Sequence, residues 1–144
     1  MSKATRSNAL QALSILEGFM NPSQLGAIKQ NFTGSEQQFF FDKAVELADR
    51  IKNMPVTYDQ ASKGDKAIAY LHYFQGGVDH YIYEKDSEDE QLQASAATHG
   101  FVFELGYLSL VDELKKGFEL DMHFSPTSIG DLRAEYQIKE SHCA

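Results

Sequence analysis

Two adjacent glycines, Gly76 and Gly77, stand between two runs of β-forming residues and limit the fold of this 144-residue chain more tightly than anything else in it. The run before them is Ala67-Ile-Ala-Tyr-Leu-His-Tyr-Phe74; the run after is Asp79-His-Tyr-Ile-Tyr83. A two-residue glycine turn between such runs closes an antiparallel hairpin. It also sets the register: Phe74 faces Asp79, Tyr73 faces His80, and His72 faces Tyr81. One face then carries Tyr70, His72, Phe74, Asp79, Tyr81 and Tyr83. The other carries Ala69, Leu71, Tyr73, His80, Ile82 and Glu84. Both faces hold apolar surface, so each needs cover from another layer.

The first 55 residues can supply a layer of helices. Asn8 is placed to cap a helix with apolar positions Leu10, Leu13, Leu16 and Phe19/Met20. Asn21-Pro22 starts a second over 22–31, with Leu25, Ile28 and Phe32 inward, and Gly34 stops it. Ser35 opens a third over 36–53, whose buried face is Phe39, Phe40, Ala44, Leu47, Ala48 and Ile51. Pro55 ends it. The polar stretch 56–65 is an internal loop.

After the hairpin comes a charge run, Glu84 to Gln91, expected as a solvated loop. Leu92 to Phe103 reads as a strand bent near Gly100. Ser109 caps a short helix, Leu110 to Lys116, with acids first and lysines last, as the helix dipole favours. Phe118 to Phe124 alternates as a last strand, and Ile129 to Tyr136 is a final short helix. The expectation is an α+β fold: N-terminal helices on an antiparallel sheet of about four strands, with a short helix between the last two. One domain spans 1–144, helical over 1–55 and sheet over 66–136.

No apolar run approaches the roughly 20 residues that span a bilayer, and the N-terminus lacks an apolar signal region. A cytoplasmic protein without membrane contact is expected. The single Cys143 permits no internal disulfide and reads as an incidental thiol. The net charge of −8 is unevenly placed. Residues 1–65 balance seven acids with seven bases, whereas 79–121 holds eleven acids against three bases. Phosphates are repelled by such a surface, so direct nucleic-acid binding is not expected; a basic protein surface is attracted.

Motifs for catalysis do not emerge. His72, His80 and His123 have carboxylates nearby, but His72 and His80 fall on opposite sheet faces. Asp121 and His123 share a face, yet one carboxylate–imidazole pair is short of a metal site. No His-Glu-x-x-His, paired Cys or EF-hand spacing is present. The glycine pair lacks a following helix and a Walker lysine, so a turn accounts for it. Ser109 serves better as a cap than as a nucleophile. No catalytic residue, cofactor or metal is assigned. The Tyr-rich face could stack bases, but its acidic surround favours packing under the N-terminal helices.

Three stretches, LQALSILEGFMNPSQLGAIKQ, AIAYLHYFQGGVDHYIYEKD and ELGYLSLVDELKKGFELDMHFSPTSI, together resemble a family of small uncharacterised proteins of plasmids, conjugative elements and phages. The last two also resemble a domain of unknown function in larger mobile-element proteins. The shared pattern is a Tyr-rich hairpin ending Tyr81-Ile82-Tyr83-Glu84-Lys85-Asp86, then Glu104-Leu105-Gly106-Tyr107-Leu108-Ser109, then Glu119-Leu120-Asp121-Met122-His123-Phe124. His80 and Tyr83 depart from it, standing where Trp and Thr are usual. The resemblance carries no activity over. It leaves Glu84, Asp86, Glu104, Asp121 and His123 as polar positions of interest. It implies a mobile-element setting, where small acidic proteins often inhibit host defences.

Three readings stay open. The first is a non-enzymatic acidic interaction protein, an anti-CRISPR or anti-restriction inhibitor. It would bind a basic nucleic-acid-binding surface through Glu84, Asp86, Glu88, Asp89, Glu90, Glu104 and Asp121. The second is a small metal-dependent hydrolase using His123, Asp121 and Glu104. The third is a ligand-binding module with a deep apolar pocket beside Tyr70 and Tyr81.

Overall fold

Thr5, rather than Asn8, begins the first helix. Its Oγ1 accepts from the Asn8 N–H at 3.0 Å, and Asn8 Oδ1 accepts from the Thr5 N–H at 3.0 Å. This is a reciprocal capping box with Asn where Glu is commoner. Helix α1 follows (Arg6–Leu16), then α2 (Pro22–Gln30), capped by Asn21, whose Oδ1 accepts from the Gln24 N–H at 2.8 Å. Helix α3 (Gln37–Asn53) has no side-chain cap at Glu36, so Ser35 does not serve; Met54 turns extended before Pro55, as proline demands. The computed structural model describes residues 3–143, with side chains to residue 139; the side chains of His142 and Cys143 lie outside the described residues.

The buried stripes are shifted from expectation. Helix α1 buries Ala9, Ala12 and Leu16 and turns Leu10 outward. Those alanines let it pack closely on α3. In α3, Phe41 takes the buried place expected for Phe39, which is exposed. Phe41 meets Phe32 edge-on at 5.2 Å.

Strands β1 (Ile68–Ala69), β2 (Leu71–Gln75) and β3 (Val78–Glu84) come next. The hairpin β2–β3 has the expected register, Phe74↔Asp79, Tyr73↔His80 and His72↔Tyr81. Gly76 is left-handed (φ 58°) and Gly77 is not, which fits a type II′ turn. The chain breaks between β1 and β2, so Ala69 and Tyr70 exchange the faces expected for them.

The expected bent strand 92–103 is a second hairpin instead: β4 (Ala94–His99) and β5 (Phe103–Leu108), joined through Gly100–Val102. Strand β4 is buried on both faces from Ala94 to Ala97, so its sequence does not alternate and hides the break. Helix α4 (Leu110–Lys115) is capped by Ser109. The expected strand 118–124 shrinks to β6 (Glu119–Leu120), because Asp121 Oδ1 accepts the His123 N–H at 2.9 Å and turns the chain. The main antiparallel sheet thus has five strands, not four, in the order β5-β4-β3-β2-β6. Strand β7 (Thr127–Ser128) pairs with β1 and leads into α5 (Ile129–Cys143), longer than expected.

Each face of the main sheet has its own core. The N-terminal helices and α4 cover Leu71, Tyr73, Ile82, Ala94 and Ala96. Tyr73 is fully enclosed there; its hydroxyl donates to the Phe19 carbonyl at 2.6 Å, and burial pushes its phenol pKa up. The opposite face, with Tyr81, packs under Ile129, Leu132 and Tyr136 near the C-terminus, not under the N-terminal helices. No helix among the described residues is long and apolar enough to cross a membrane.

Candidate functional site

Beneath α5 the sheet gathers its most concentrated set of titratable side chains. The β2–β3 register sets the His72 ring on Tyr81, 4.5 Å apart and nearly parallel. His72 Nε2 lies 2.7 Å from Asp79 Oδ1, and Nδ1 lies 3.0 Å from Asp121 Oδ2. The Tyr136 hydroxyl donates to Asp79 Oδ2 at 3.0 Å and meets the Tyr81 hydroxyl at 2.7 Å. Burial pushes the phenol pKa values of Tyr81 and Tyr136 up, and the Asp79 charge pushes them further. Burial also acts to raise Asp121, but hydrogen bonds from the His72 ring and the His123 N–H outweigh it and hold the carboxyl below its ordinary range.

This cluster resembles a catalytic centre and is built as a tie. Both ring nitrogens are occupied by protein carboxylates, one by Asp79 and the other by Asp121. Neither nitrogen is left to take a proton from a substrate. His72, Asp79, Asp121 and Tyr136 instead join β2, β3, the turn after β6 and α5. The cleft beside them is open, ≈ 330 Å³, and lined by polar groups as well as Tyr81 and Phe124; Tyr70 is not part of it. His80 is likewise engaged on the other face, with Thr98 Oγ1 at 2.7 Å and Glu113 Oε2 at 3.1 Å, against the Phe118 ring.

The candidate hydrolase set does not converge. Glu104 lies on β5 and Asp121 follows β6, at opposite edges of the five-stranded sheet. Four inter-strand steps separate those edges by roughly 19 Å. Among the described residues no group of three or more His, Cys, Asp or Glu could hold a metal ion.

The remaining acidic positions divide by burial. Glu84 is inside, 3% exposed. Its Oε2 accepts from the Gln60 N–H at 2.6 Å and its Oε1 from the Ser95 hydroxyl at 2.7 Å. It ties the 56–65 loop to the sheet and is no part of the acidic surface. Asp86 is half-buried and organises the charge run: Oδ1 accepts from the Glu88 N–H at 3.0 Å and Oδ2 from the Gln93 N–H at 2.9 Å. The buried Gln91 amide donates to the Asp86 and Glu88 carbonyls and accepts from the Asp86 N–H. Its own carbonyl accepts from the Leu110 N–H, which fixes the loop beside the end of β5. The run expected as a solvated loop is therefore clamped from within. Glu88, Asp89 and Glu90 point outward from it, as does Glu104 from β5, and none forms an ion pair among the described residues.

Sequence reasoning missed two features of this region. The His72–Asp121 contact depends on β6 joining β2, which no local pattern encodes. The β4–β5 hairpin carries an apolar outer rim, with Phe101 fully exposed and Val102, Leu105 and Tyr107 largely so. The Gly100-Phe101-Val102 turn was its only signal. Comparison with protein-family models, curated proteins and solved structures finds no match to this chain.

Proposed function

We propose that the chain is a non-enzymatic interaction protein that docks on a basic partner through the acidic rim of its sheet half. The observation that carries this reading is the clamped loop: Asp86 and Gln91 hold it, and Glu88, Asp89 and Glu90 face solvent, with Lys85 near Asp89 and no ion pair to any of the three among the described residues. A loop already ordered loses little entropy on binding, and uncompensated charge steers a complementary surface into contact. The resemblance to small mobile-element proteins supports a more specific form. The partner is then a host defence complex of CRISPR or restriction type in the cytoplasm, met at the Lys/Arg groove built for nucleic acid.

The test begins with purification of the tagged protein from its host and identification of what accompanies it. The purified partner is then titrated calorimetrically at low and high salt. Reversing Glu88, Asp89 and Glu90 to Lys weakens binding at least tenfold at low salt and leaves the unfolding midpoint in place. Unchanged affinity removes the loop from the reading.

A further inference from the structure

The two edges of the main sheet are finished differently. At β6 the Gln24 side-chain amide imitates a neighbouring strand: Nε2 donates to the Leu120 carbonyl at 2.7 Å, and Oε1 accepts from the Leu120 N–H at 2.9 Å. That edge is closed. At β5 no such cover exists among the described residues. Among the described residues, the backbone of Phe103–Leu108 bonds only to β4. The strand is six residues long and carries no proline, lysine or bulge of the kind that protects an edge.

Its side chains are also those of an interface. Leu105 and Tyr107 lie on one face and are largely exposed, with Phe101 and Val102 at the hairpin tip. Glu104 points to the other face. From Asp86 to Leu114 the chain has seven carboxylates and no Lys or Arg. A second copy of β5 brings only another Glu104, and Arg133, stacked on Phe103 at its start, is already paired with Asp65. Charge complementarity therefore selects a foreign strand over self-pairing.

We propose that β5 is a strand-addition site: an extended segment of the partner pairs with its free edge, apolar residues against Leu105 and Tyr107, Lys or Arg against Glu104 and the Glu88–Glu90 loop. This deepens the interaction reading above and rests on it. It adds main-chain pairing to charge attraction.

The probe is a ten-residue peptide of alternating Lys and Val, compared with oligolysine of equal charge, followed by amide NMR. With the alternating peptide, resonances of Phe103–Leu108 shift and their amide hydrogens exchange more slowly. Adjacent amides point to opposite edges, so of Leu105→Pro and Gly106→Pro one removes an outward donor and the other a bond to β4. The first stays folded and binds the peptide at least tenfold more weakly. Shifts confined to Glu88–Glu90, equal for both peptides, overturn strand addition while leaving the acidic-docking reading intact. No shift with either peptide overturns the inference. So does a peptide-free protein that is already dimeric with protected β5 amides, which would assign the edge to a second copy.

Discussion

Replacing Glu84 separates a structural carboxylate from a docking one. The side chain is 3% exposed and both oxygens accept from neutral donors, Gln60 N–H at 2.6 Å and Ser95 Oγ at 2.7 Å. Glu84→Leu keeps similar bulk and removes both acceptors. The Gln60 N–H cannot rotate to another partner, and a buried orphaned donor costs about 1–3 kcal/mol. The Ser95 hydroxyl can turn, so its share is smaller, and the expected loss is about 2–4 kcal/mol. With a mid-range urea slope of about 2 kcal/mol/M, the midpoint falls by about 1–2 M. Glu84→Gln behaves oppositely. Its carbonyl still accepts from Gln60, its NH₂ donates to a rotated Ser95 hydroxyl, and a buried charge without a cationic partner is gone. That variant stays within about 1 kcal/mol of the parent. Urea unfolding of the three proteins at neutral pH decides the matter. A Leu variant as stable as the parent, or a Gln variant less stable than the Leu variant, would refute the reasoning.

Two further predictions concern the tie under α5. His72→Phe keeps the stack on Tyr81 but takes one partner each from Asp79 and Asp121, which keep the Tyr136 hydroxyl and the His123 N–H and are 27% and 29% exposed. Water relieves part of the loss, leaving about 1–3 kcal/mol and a melting point lower by several degrees, with partner affinity unchanged. A protein that melts like the parent would show that the ring ties nothing. Asp121 has its folded-state pKa below the ordinary 3.8, so its contribution is present above that pH and is lost as pH falls through the folded value. Urea midpoints measured from pH 5 down to pH 2 should therefore fall less steeply in Asp121→Asn; identical slopes would remove Asp121 from the acid response.

Local chemistry made much of the fold readable. Asn21-Pro22, Met54-Pro55 and Ser109 act within one turn of the chain, and each bounds a helix where expected. Gly76-Gly77 fixed the hairpin register because a two-residue turn admits only one pairing. Where the environment outranked the pattern, the reading failed. At Phe41 the pattern itself was misread: it stands three and seven residues before Ala44 and Ala48, Phe39 does not, and Phe41 is buried against Phe32. Ala94–Ala97, covered on both sides, has no period to reveal where β4 ends. The acidic positions show the same limit: Glu84, Asp86 and Glu88 adjoin one another, yet the first is core, the second a clamp and the third surface.

The sequence by itself determined the class, helices first and an antiparallel sheet after, and the one-sided placement of charge, because these follow from turns, caps and composition. Only the tertiary structure decided which carboxylates face solvent. Burial depends on the neighbours that strand order supplies. Joining β6 to β2 gave Asp121 to His72 and placed Glu104 at the far edge, and the two edges closed differently because Gln24 reaches one of them and nothing described reaches the other.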